Sequence, residues 1–349
     1  YVGEPVAVVF AEDAYQAEDA AELVEVAIDE LPPLLQFPVW TPGSYLVREY
    51  SRHVTRLEPA EKVAKNQWRV RGKSHSVSYE VYCHERTVRT SFLDVTHAAL
   101  VGATLLPLLH APFEVELRLP RNWTNVSSAL KFRKTAPGRW RAIVANDDDW
   151  IDKPILAWAP GHGGLSSFRA GGITHHVAWA GTECARSGAE LNEAFAKIVK
   201  ATLSMFGSAP FREYWFLLHF GHKLYGGLEH RDSQLSQFDG AALRESADWG
   251  RFLKLIAHEY FHSWNVKSIR PAALGPFDYF NENYTQDIWF SEGLTDYFDD
   301  IIPLRAAKAL ERRLPTSRMV VFEGAGHFAM QDAPDRFLQE VRRFLAEGR

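Results

Sequence analysis

Residues 249–264, WGRFLKLIAHEYFHSW, decide how the chain is read. Phe252, Leu253, Leu255, Ile256, Tyr260 and Phe261 recur at helical spacing and give this stretch one broad apolar side. His258 and His262 stand four residues apart, so a helix places them one turn apart on the same face, with Glu259 bordering the same place. Two imidazoles so arranged either direct their nitrogens at one metal ion or form hydrogen bonds inside a helix interface.

A catalytic zinc needs a third protein ligand and an open position for water. Thirty residues on, Ser291-Glu292-Gly293-Leu294-Thr295 lies in a second helical stretch predicted to begin near Ile288. Glu292 is the candidate third ligand; standing alone it would read as a solvated helical glutamate. Upstream, Tyr225-Gly226-Gly227-Leu228-Glu229 pairs glycines with a terminal carboxylate. Gly226 and Gly227 suit an edge strand that receives an extended peptide, and Glu229 could hold the peptide's free ammonium group. A simple turn is the plain alternative.

Composition limits the remaining possibilities. The chain has 349 residues, 46% of them hydrophobic, which predicts two or more domains. The apolar run near Ala98 to Leu109 is broken by Gly102 and Pro107 and is too short for a membrane span. A net charge of −5 leaves no footprint for nucleic acid. Only Cys83 and Cys184 are present, outside any C-x-x-C pair, which argues against a disulfide framework or a cysteine metal site. No secretion signal is visible, so a soluble, cytoplasmic protein is expected, with its oligomeric state open.

Along the chain the patterns change. Residues 1–34 hold nine acids and no Lys or Arg; Val6 to Phe10 reads as a short strand and Ala14 to Val26 as a helix. Residues 35–168 alternate polar and apolar, as at Phe113, Val115, Leu117 and Leu119, with turns at Pro42-Gly43, Asn122 and Pro137-Gly138. This predicts an antiparallel, β-sandwich-like domain. Residues 169–302 mix helix and strand, with a helix over Glu190 to Phe206 and a buried strand over Tyr214 to His219. Residues 303–349 carry nine bases and six acids.

Several runs in the region 35–302 resemble the glycyl aminopeptidase family of gluzincin metallopeptidases. They are His258 to His262 continuing through Ser263-Trp264-Asn265-Val266-Lys267 to Pro271, the run at 226–233, Glu282-Asn283-Tyr284-Thr285, and Trp289-Phe290-Ser291-Glu292-Gly293. Phe37-Pro38-Val39-Trp40-Thr41-Pro42-Gly43-Ser44-Tyr45 resembles that family's amino-terminal β-domain. The resemblance implies an α+β fold, with a β-sandwich-like domain followed by a thermolysin-like catalytic domain. It also implies one Zn2+ held by His258, His262 and Glu292, Glu259 as general base, Glu229 at the substrate's amino terminus, and a peptide substrate beginning with glycine or another small residue.

The flanks resemble other families. Residues 1–34 are similar to the start of molybdenum hydroxylase large subunits, with a hammerhead-like fragment. From Ile301 the family's further helical region gives way to a pattern resembling the end of an α/β-hydrolase: a helix from Leu304 to Arg313, a strand at Met319 to Phe322, and His327 and Asp299 matching a triad's base and acid. No Gly-x-Ser-x-Gly elbow supplies a nucleophile. The chain therefore reads as a composite with seams near 34 and 301. Two rivals accompany the peptidase reading: an inactive composite that at most binds zinc or peptide, and a serine esterase.

Overall fold

The structure, a computed structural model, describes residues 8–25, 33–44, 46–72, 76–123 and 125–311, with the helical positions Asp335, Arg336, Gln339 and Arg343. A five-stranded sheet organises the C-terminal half, in the order Gly163–Ala170, Ile173–Gly181, Glu213–Phe220, Ser233–Phe238, Tyr225–Glu229. The inner pairings are parallel and the outer ones antiparallel. Parallel neighbours need a crossover, and the helix Gly188–Phe206 supplies it. Ser187 and Glu190 start that helix by satisfying each other's backbone N–H groups.

Glu213–Phe220 is covered on both faces, which is why its sequence is almost continuously apolar. Phe216 and Leu218 pack with Phe195 of the crossover helix and with Phe252 and Tyr260 of the motif helix, Ser246–Phe261. Leu217, between them, joins Ala99, Val101, Leu156 and Trp158 from the N-terminal half. Alternation along one strand thus binds the two halves into a shared core.

The described strands of the N-terminal half pair antiparallel throughout. The sheet of Phe92–Leu93, His97–Leu100, Ile155–Trp158 and Asn125–Ser127 provides the shared core's other side. A second cluster, around Trp123, Trp150, Ile151 and Tyr50, takes in Tyr279 from the C-terminal half. The mixed α+β architecture is the expected one.

Three details differ from the sequence reading. The first helix is Ala14–Glu22, shorter than expected; none of its residues is buried, so no packing extends it. Val8 to Phe10 form no strand, and Val6, Ala7 and Val26 lie outside the described residues. Instead of a fresh helix at Leu304, one helix runs over Leu294–Glu311 and crosses position 302 unbroken, with Pro303 inside it. Met319 to Phe322 and His327 lie outside the described residues. Among the described residues no helix is long and apolar enough to cross a membrane.

Leu217→Ala should cost about 2–5 kcal/mol, because it opens a cavity in the core that both halves share. Chemical denaturation should show one transition moved to lower denaturant; two separate transitions, with only one displaced, would show that the halves do not share a core.

Candidate metal centre

The motif helix ends at Phe261, and His262 closes it with its backbone N–H turned to the His258 carbonyl. His262 is 1% exposed and Glu259 4% exposed, while His258 is half-buried. Glu292 arrives on a π-helical turn, Trp289–Gly293, that precedes the long helix. Such wide turns occur mostly as single insertions and often at functional sites.

The three groups meet. His258 Nε2 and His262 Nε2 stand 3.1 Å apart, and Glu292 Oε2 lies 3.3 Å from the first and 3.5 Å from the second. Around a four-coordinate zinc with bonds of about 2.0–2.1 Å, ligand atoms are separated by roughly 3.3 Å. The triangle therefore has the dimensions of one face of a zinc tetrahedron.

The outer nitrogens are engaged, which leaves the inner ones to face a metal ion. His262 Nδ1 donates to the Asn265 carbonyl at 3.0 Å, and His258 Nδ1 donates to Asp299 Oδ2 at 2.9 Å. Partners of this kind set the tautomer and the ring orientation of a metal-binding histidine. Two other clusters share these histidines, one with Asp296 and Asp299 and one with Glu229 and Glu259. The first would use His258 Nδ1, already given to Asp299; the second would consume the buried carboxylate best placed as a base.

Asn265 does more than receive His262. Its amide nitrogen lies 2.9–3.0 Å from the Phe290 carbonyl, the Ser291 carbonyl and Thr295 Oγ1. One residue thus ties the end of the motif helix to the turn that carries Glu292. Lys254, one turn before His258, holds Asp299 at 3.2 Å and Asp300 at 2.8 Å.

Charge at the site is strongly negative. Burial works against the His258 imidazolium, yet hydrogen bonds to Asp299 and Glu292 lift its pKa to about 11. Burial likewise opposes charge on His262, and Glu292 with Glu229 raises it. Burial pushes Glu259 up to about 7 even though both histidines pull it down. An arrangement that stabilises positive charge on both rings is one in which a divalent cation is welcome.

Two glycines let the pieces close together. A Cβ on Gly227 would stand 1.9 Å from Glu259 Oε1, so only glycine leaves the edge strand room beside that carboxylate. The pair had suggested access for another backbone; Gly227 admits a side chain. A Cβ on Gly43, whose φ is +84°, would stand 2.6 Å from both oxygens of Glu229. The Pro42-Gly43 turn of the N-terminal half therefore rests on Glu229, which is 5% exposed at the end of the edge strand.

Beneath Glu229, Asp152 accepts from Lys267 Nζ and from the Arg231 backbone N–H, each at 2.9 Å. His230 Nδ1 lies 3.4 Å from the same carboxylate. Despite burial, which favours the neutral acid, Lys267 and His230 hold Asp152 well below the usual carboxylate range. Asn265, Asp152, Gly43 and the His258 partnership of Asp299 carry no signal in local sequence spacing. Asp299, read from sequence as a hydrolase-like acid, has His258 and Lys254 as its partners, and its proposed mate His327 lies outside the described residues.

The fold brings two histidines and a carboxylate together as a candidate metal centre. Residues 12–158 match the Peptidase M61 N-terminal domain and residues 251–325 match the M61 glycyl aminopeptidase, together more than half of the chain. These matches support assignment of the chain to the M61 glycyl aminopeptidase family. The first begins inside the acidic segment 1–34 and the second continues past Ile301, so each crosses a seam suggested by sequence.

Among solved structures, an aminopeptidase N family protein from Idiomarina loihiensis is 31% identical over 81% of this chain, with a TM-score of 0.73. The chain spans 51% of that protein. An M1 zinc metallopeptidase from Deinococcus radiodurans is 12% identical, covers 80% of this chain and 63% of its own, and has a TM-score of 0.44. Uncharacterized proteins of Mycobacterium tuberculosis and Mycobacterium bovis are 40% identical over 47 residues, 14% of this chain and 14% of theirs.

Asn265→Ala should weaken zinc binding about 10- to 100-fold, since the residue orients one ligand and positions another. Competition with a fluorescent chelator measures this; unchanged affinity would mean that the clamp is dispensable.

Proposed function

We propose that the chain is a zinc-dependent aminopeptidase, with His258, His262 and Glu292 as the metal ligands, Glu259 as the general base and Glu229 as the anchor for the substrate's free ammonium group. The observation that carries this reading is the convergence of His258 Nε2, His262 Nε2 and Glu292 Oε2 at 3.1–3.5 Å. Glu229 and Glu259 stand immediately beside them: ligand-type atoms of Glu229, Glu259 and His262 lie within 4.8 Å of one another.

Bound there, zinc would supply a Lewis acid that polarises the scissile carbonyl and makes water a better nucleophile at neutral pH. Glu259 takes a proton from the attacking water and delivers it to the leaving amine. The edge strand Tyr225–Glu229 offers backbone groups to an extended peptide, and Glu229 at its end limits the peptide to one residue before the cleaved bond. Glycine, the first residue that the resemblance implies, satisfies this anchor without needing any side-chain pocket.

Purified protein should contain about one zinc per chain by elemental analysis, and a chelator should abolish release of free amino acid from a peptide. Glu259→Gln should reduce turnover at least about 10²-fold while retaining the metal. Metal retained with no hydrolysis by the parent chain would favour the non-catalytic reading; hydrolysis surviving in the variant would remove Glu259 from the mechanism.

A further inference from the structure

Glu229 has a rival for the substrate among its own neighbours. The group it would anchor is a primary ammonium, and Lys267 carries the same group into the same open cavity of about 150 Å3. That cavity lies between the halves, with Trp40 on its wall and Glu229, Lys267, Asp152 and Arg231 among its charged lining. Lys267 is fixed at its root, because its backbone N–H donates to the His262 carbonyl at 3.0 Å, and only its side chain is left to turn.

The lysine spends its charge elsewhere. Nζ donates to Asp152 Oδ1 at 2.9 Å, and the two side chains are only 10% and 14% exposed. Among the described residues, no carboxylate other than Asp152 stands within ion-pair distance of Nζ. Burial opposes charge on Lys267; Asp152, and after it Glu229, outweigh that effect and raise its pKa. Asp152 itself belongs to the N-terminal half, at the close of the helix Asp147–Ile151. Its second oxygen accepts from the Arg231 backbone N–H at 2.9 Å, two residues past Glu229. The carboxylate is therefore pinned to the end of the edge strand while it holds the lysine.

We propose that Asp152 is a positioning residue for substrate recognition: by holding the Lys267 ammonium it keeps Glu229 available to the substrate's ammonium. The inference rests on the aminopeptidase reading above. An ammonium left alone in a buried place is costly, and the next carboxylate to act on Lys267 after Asp152 is Glu229. A lysine turned to that anchor would be an intramolecular competitor, present at a high effective concentration against every substrate. The N-terminal half thereby sets affinity for a free amino terminus through a residue that acts by way of Lys267.

The test uses zinc-loaded protein with glycine 4-nitroanilide and, as a readout independent of turnover, calorimetric titration with glycinamide. Asp152→Asn retains an acceptor for the Arg231 N–H and releases Lys267. KM should rise at least about tenfold with kcat within about twofold, as when the competitor occupies the anchor in about nine molecules of ten. Glycinamide binding should weaken by the same factor. Asp152→Asn combined with Lys267→Met removes the competitor as well as its restraint, and should bring both values back to within about twofold of the parent. An unchanged KM in Asp152→Asn, or a KM still raised in the double variant, overturns the inference and leaves the aminopeptidase reading intact. Failure of either variant to fold makes the pair a structural tie and overturns the inference too, since Glu229 then does not accept the released lysine. Absence of turnover by the parent overturns the aminopeptidase reading; the titration then decides the pair by the same criteria, and no glycinamide binding by the parent overturns it.

Discussion

The amide of Asn265 is the small contact on which the rest of the site depends. A π-helical turn leaves backbone carbonyls without the usual helical partners; the Asn265 amide meets those of Phe290 and Ser291, and the Thr295 hydroxyl also donates to Ser291. The carbonyl of the same residue accepts from His262, so ring orientation and the approach of Glu292 are set together. A shift of about 1 Å in either would spoil the 3.1–3.5 Å triangle. Thr295, which also accepts from Asn265, extends the clamp into the first turn of the long helix.

That helix contributes a second restraint. Asp299 binds the outer nitrogen of His258, and Lys254 balances its charge from the motif helix itself. Four residues later, Pro303 has no N–H to give to the Asp299 carbonyl, yet the helix continues through it. The packing of Ile302, fully buried in the core with Phe261 and Phe252, offsets the lost hydrogen bond.

The N-terminal half is part of the site and more than its neighbour. Gly43 rests on Glu229, Asp152 neutralises Lys267 beneath it, and Trp40 walls the adjacent cavity. These contacts are possible because the two halves share the core at Leu217 and Leu156, which removes freedom between them. The buried charges of Asp152 and Lys267 are tolerable only as a pair, since either alone would carry a desolvation cost of several kcal/mol.

Local sequence was sufficient for features that depend on neighbours within one element. The spacing of His258 and His262 placed two imidazoles on one helical face, the apolar runs marked the crossover helix and the central strand, and Gly226-Gly227 marked the edge strand. Glu292 was legible as a candidate through its own motif, although the π-helical turn that presents it was not. The roles of Asn265, Asp152 and Gly43 and the true partner of Asp299 were not legible there, because each acts on residues brought near by folding. Sequence by itself therefore determined the α+β class and the identity of the candidate ligands, whose chemistry is carried by residue type and helical period. Only tertiary structure decided their tautomers, the separation of their nitrogens and the cavity beside Glu229, because those follow from hydrogen bonds and packing between elements distinct in the sequence, from the 41 residues that separate His258 and Asp299 to the 238 that separate Trp40 and Asp278.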